Sequence, residues 1–63
     1  MIHTIKQAEG KTFKDYNEAI NFLILLTKED DELNSFVNTE IDCSDDIKIG
    51  NEQIPAIDVF DFL

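Results

Sequence analysis

The chain has 63 residues, 43 % of them apolar and 30 % charged, with a formal net charge of -9. That length allows one domain, residues 1–63, and that apolar content favours a packed core over a disordered chain. A single cysteine rules out an internal disulfide, Cys43 and His3 are too few soft ligands for a zinc site, and the negative charge argues against direct contact with nucleic acid or an acidic membrane surface.

The charge is divided unevenly along the chain. Residues 1–28 hold four lysines against three carboxylates, whereas residues 29–63 hold eleven carboxylates against Lys48 alone. No export leader is legible around His3 and Lys6. The longest unbroken apolar run, residues 22–26, falls far short of the ~20 residues of a membrane-spanning helix. A cytoplasmic, reducing location is expected, where a lone thiol is unremarkable.

Residues 2–7 and 11–13 read as a β-hairpin across "AEGK", with Gly10 free to take positive φ. Residues 16–28 read as a helix. Asp15 is a good N-cap, and Glu18 three residues later fits a capping box. Ala19, Ile20, Leu23 and Leu26, with Thr27 beside them, share one face. Phe22, Ile24 and Leu25 widen the apolar surface beyond what one face needs.

Four consecutive carboxylates follow: Glu29, Asp30, Asp31 and Glu32. Placed after the end of the helix, they meet the negative pole of its dipole. Helix stability therefore does not explain them, and a solvated loop or a partner must. Residues 34–44, "NSFVNTEIDCS", alternate like a strand. Val37, Thr39, Ile41 and a buried Cys43 point one way; Asn38, Glu40, Asp42 and Ser44 point the other. On such a strand Glu40 and Asp42 would stand roughly 6.6 Å apart, part of an anionic row comparable in density to a nucleic-acid backbone.

Residues 47–49 and 52–54 form a second hairpin signal across Gly50 and Asn51. "PAIDVFDFL" fits an edge strand, or a short helix from near Pro55 with Ile57, Phe60 and Leu63 on one face. The expected fold class is α+β: a β-hairpin, a helix, then further strands, with one helix packed on an antiparallel sheet of about three to five strands.

No motif for catalysis or a cofactor stands out. "DCSDD" begins like a calcium loop, but its sixth position is Ile47 and its twelfth Gln53, where glycine and glutamate are needed. Nothing brings Cys43 and His3 together with an orienting group. A non-enzymatic binding protein is expected, with no cofactor and no metal. Its partner would be a basic protein surface that normally contacts nucleic acid: a nucleoid protein, RNA polymerase, a nuclease or a replication factor. Glu29, Asp30, Asp31, Glu32, Glu40, Asp42, Asp45 and Asp46 would carry the charge, and Phe60 and Phe62 would be aromatic anchors. In size and charge the chain is similar to small acidic proteins with which bacteriophages and mobile elements inhibit host machinery. The alternatives are an assembly subunit that self-associates through the helix and the C-terminal tail, or an antitoxin-like neutraliser.

Overall fold

A computed structural model describes residues 1–62. The elements in order are β1 (Ile2–Thr4), a 3-10 turn (Lys6–Ala8), α1 (Tyr16–Glu29), α2 (Asp31–Thr39), β2 (Asp46–Ile49), β3 (Glu52–Pro55) and α3 (Ala56–Phe60). The small α+β class is as expected. The sheet is not antiparallel throughout. Its order is β1-β2-β3, with β1 parallel to β2 and β2 antiparallel to β3.

That mixed sheet overturns the N-terminal hairpin. Gly10 does take a positive φ of 83°. The chain before it, however, coils: the Ala8 N–H donates to the Ile5 carbonyl at 3.1 Å, and that of Glu9 to Lys6 at 3.1 Å. Ile5 and Ala8 are both buried at a spacing of three, which a 3-10 turn satisfies and an alternating strand does not. Residues 11–13 find their partner in a side chain. The Phe13 N–H donates to Asn51 Oδ1 at 2.6 Å, and Asn51 Nδ2 donates back to the Phe13 carbonyl at 3.1 Å. One amide thus does the work of a neighbouring strand.

The helix α1 is as expected from its cap. Asp15 Oδ1 accepts from the Glu18 N–H at 3.1 Å, and Ala19, Ile20, Leu23 and Thr27 are buried. The Thr27 hydroxyl is satisfied by the Ile24 carbonyl at 2.8 Å. The wider apolar surface divides. Phe22 is half-buried against Phe13, with ring centroids 5.3 Å apart, while Leu25 remains 59 % exposed.

The expected strand over residues 34–44 is instead the helix α2 and the turn that follows it. Leu33 and Val37, four apart, are the buried pair. Thr39 and Cys43, which strand alternation would have buried, are exposed. Polar residues of modest helix propensity are held by their own helix: Asn38 Nδ2 donates to the Asn34 carbonyl at 2.8 Å and Thr39 Oγ1 to that of Ser35 at 2.7 Å. With the strand goes the anionic row, because Glu40 caps the end of α2 and Asp42 lies in the turn beyond it.

The second hairpin forms as expected, with Ile47 opposite Ile54 and Lys48 opposite Gln53. Gly50 sits at φ 59°, and a Cβ there would come within 2.5 Å of the Lys11 carbonyl and 2.8 Å of the Phe13 ring. Glycine is required both for the turn and for this approach. After Pro55 the chain turns helical. The buried side chains of α3 are Ala56 and Val59, whereas Ile57 is exposed and Phe60 half-buried; Leu63 lies outside the described residues. Ile5, Ile20, Leu23, Val37, Ile47, Ile49, Ile54 and Val59 form the centre of the core.

In a domain this small, truncating one of these side chains removes much of the total stability. Ile54→Ala is expected to cost about 2–5 kcal/mol in denaturant unfolding, and Leu25→Ala less than about 0.5 kcal/mol. Equal losses at the two positions would contradict the core assignment.

Candidate functional site: the acidic surface

The acidic run straddles the junction of two helices. Asp30 ends α1, its N–H bonded to the Leu26 carbonyl at 2.9 Å, and it also caps α2, its Oδ1 accepting from the Leu33 N–H at 3.1 Å. Asp31 and Glu32 occupy the first turn of α2. Glu29, and Asp30 as the residue that ends α1, meet the unfavourable C-terminal pole of that helix, but Asp30 is at the same time the N-cap of α2. The others lie at a positive helix pole, where a carboxylate is stabilising. Helix stability therefore accounts for part of the run, contrary to the sequence expectation. A usable signal was present: an N-cap residue followed by two acids and then Leu33 is a helix start.

Asp45 is also structural. Its Oδ2 lies 2.8 Å from His3 Nε2 and accepts from the Asp42 N–H at 3.1 Å, and its Oδ1 lies 3.5 Å from the terminal ammonium of Met1. Its backbone joins in: the carbonyl accepts from Ala56 at 2.9 Å and the N–H donates to Asp42 at 3.0 Å. The residue thus fastens the start of β1, the turn 42–45 and the start of α3. The hydrogen bond from His3, and after it the one from the Asp42 N–H, hold the Asp45 carboxyl below its ordinary value of 3.8, against a partial opposing effect of burial; the Met1 ammonium adds to the lowering. No sequence signal announces this role, because His3 and Asp45 are 42 positions apart. Asp46 is half-buried and accepts from Gln53 Nε2 at 3.1 Å.

The remaining candidates, Glu29, Asp31, Glu32, Glu40 and Asp42, are exposed. Among the described residues, the charge pairs within 4 Å both belong to Asp45, so no lysine neutralises any of these five. Of the two aromatic candidates, Phe60 packs against the core and Phe62 is 54 % exposed. The structure thus separates the ten candidates. Asp30, Asp45, Asp46 and Phe60 are tied into the fold, and Glu29, Asp31, Glu32, Glu40, Asp42 and Phe62 are exposed, Asp42 Oδ2 accepting from Ser44 Oγ at 3.2 Å.

A groove of about 290 Å³ runs between β1 with its following turn and the first half of α2. Ile5, Leu33 and Phe36 give it an apolar lining, and Asp30 and Glu32 stand at its α2 side. Phe36 meets His3 edge-on with ring centroids 5.7 Å apart. Among the described residues, no helix is long and apolar enough to cross a membrane. No known protein family, curated protein or solved structure matches this chain.

Two outcomes follow from the structural carboxylates. Asp30→Ala is expected to cost about 0.5–2 kcal/mol, and Asp30→Asn, which retains a capping oxygen, much less. The lowered Asp45 carboxyl contributes stability that is present above 3.8 and lost as the pH falls through its folded value below that. The wild type should melt above Asp45→Asn at neutral pH, and the gap should close on acidification below 3.8. A gap that is unchanged at low pH would contradict the clasp.

Proposed function

We propose that this is a non-enzymatic acidic binding protein that docks on a basic, nucleic-acid-contacting surface of a partner protein and occludes it. The supporting observation is the set of five exposed carboxylates between residues 29 and 42 with no lysine within pairing distance among the described residues. Unpaired surface charge is not needed for the packing of the core. It does raise the rate of encounter with an oppositely charged surface, and more so at low salt. The carboxylates lie on a helix and a turn, so the reading rests on total charge and not on the spacing of a nucleic-acid backbone. Of the two aromatic candidates, Phe62 is the exposed one and is available as an anchor. The mode of action is competitive occlusion, as in the inhibitors that bacteriophages and mobile elements deploy in a host cytoplasm.

A second reading has specific support. Leu25, Ile57 and Phe62 are each more than half exposed, which suits an assembly subunit. Sizing across a dilution series separates the two, since self-assembly requires a concentration-dependent mass.

The test is affinity capture from a bacterial lysate with the wild type and with Glu29→Gln/Asp31→Asn/Glu32→Gln/Glu40→Gln, a variant that leaves Asp30 and Asp45 intact. The wild type is expected to retain a basic nucleic-acid-binding protein that added DNA or high salt releases, and the variant to retain roughly tenfold less. Equal capture by both, or capture that survives high salt and DNA, would falsify the charge reading.

A further inference from the structure

We infer that the groove between β1 and α2 receives an extended, lysine- or arginine-bearing segment of the partner, which adds to β1 as a new edge strand. The inference rests on the reading above that the partner surface is basic, and it says where and how that surface engages.

The backbone supplies the first half of the argument. The Asp46 N–H donates to the Met1 carbonyl and the Ile5 N–H to the Lys48 carbonyl, each at 2.9 Å. A strand in a parallel pair bonds its neighbour through every second residue. Residues 1, 3 and 5 therefore face β2, and the N–H and C=O groups of Ile2 and Thr4 point off the open edge of the sheet. Both residues are exposed. Unpaired edge groups of this kind are a template for another strand. β1 carries no proline or lysine along its own length, and its shortness, three residues, is the protection it does have.

The side chains supply the second half. The groove meets that edge at Thr4 and continues along residues 5–7, so a strand added to β1 would run into it beside Thr4 and set side chains there toward Ile5, Leu33 and Phe36. Asp30 Oδ1 is committed to the α2 cap, and its Oδ2 is only 3.4 Å from Gln7 Nε2, a weak bond. Glu32 is exposed and has no partner among the described residues. Two carboxylates against Lys6 give the lining a net negative charge that matches a cationic side chain flanking an apolar one. Main-chain bonds would hold the segment, and the apolar floor and acidic rim would select it.

The test is an NMR titration of the full chain to millimolar peptide with a capped hexapeptide alternating lysine and valine. A hexapeptide alternating glutamate and valine serves as control. The lysine peptide is expected to move the amides of Ile2, Thr4, Leu33 and Phe36 and to slow hydrogen exchange at Ile2 and Thr4; the glutamate peptide does neither. Thr4→Pro deletes an outward N–H without removing a β1–β2 bond, and Phe36→Ala removes part of the floor from a partly exposed position. Each should weaken the peptide at least tenfold, and Phe36→Ala serves alone if Thr4→Pro fails to fold. Shifts confined to Glu29, Glu40 and Asp42, no shift at all, or unchanged binding by the variants overturn the inference. Groove shifts that appear on concentration without peptide overturn it too, by placing a second copy there. If Thr4→Pro still captures a salt-sensitive basic partner, the groove fails and the charge reading stands. If the wild type captures none, the charge reading fails.

Discussion

The parallel pairing of β1 with β2 is the constraint from which the rest of the architecture follows. Parallel neighbours cannot be joined by a tight turn, so the chain must travel back along the sheet before it pairs. Residues 5–45 make that journey, and α1 and α2 are its two legs. The acidic run is where one leg ends and the other begins. Asp45 closes the circuit, tying the strand that starts the crossover to the turn that ends it. A return of this length costs loop-closure entropy, which the crossover offsets by burying Ile20, Leu23, Leu33 and Val37 in the common core.

What was legible in the sequence was local. The Asp15 N-cap of α1, its buried face except for the half-buried Leu26, and the hairpin over Gly50 each depend on residues within a few positions of one another, and each forms as read; the reciprocal Glu18 half of the capping box does not. What was not legible depended on distant partners or on a choice between two periods. Residues 33–43 carry an apolar repeat of four and an alternation of two at once. The repeat of four prevails because Asp30 starts a helix there and α1 offers a surface to receive it. The first strand looks like half of a hairpin until β2, more than forty residues later, is available to pair with it. Asn51 bonding to Phe13 is of the same kind: nothing in either local stretch foretells it.

The carboxylates show why composition alone misleads about a site. The eight acidic residues singled out look equivalent in a sequence and are not equivalent in the fold. Asp30, Asp45 and Asp46 spend their oxygens on backbone and side-chain donors. Glu29, Asp31, Glu32 and Glu40 project into solvent, as does Asp42 apart from the oxygen that accepts from Ser44. The excess over what the fold uses is the quantity that bears on function, and it is concentrated around α2, beside the open edge of β1. The position of that excess is itself a product of the crossover, which brings Asp30 and Glu32 beside Thr4 and the turn that follows β1.

The proposed function requires that the exposed carboxylates act at a distance on an oppositely charged partner. The most direct measurement is the association rate with the captured partner as a function of ionic strength. Screening over a Debye length of about 10 Å at 0.1 M salt should slow association by an order of magnitude or more between roughly 0.02 and 0.5 M, with dissociation little changed. An association rate indifferent to salt, with affinity set wholly by dissociation, would contradict the claim and move the function to the apolar surfaces of α1 and the C-terminal segment.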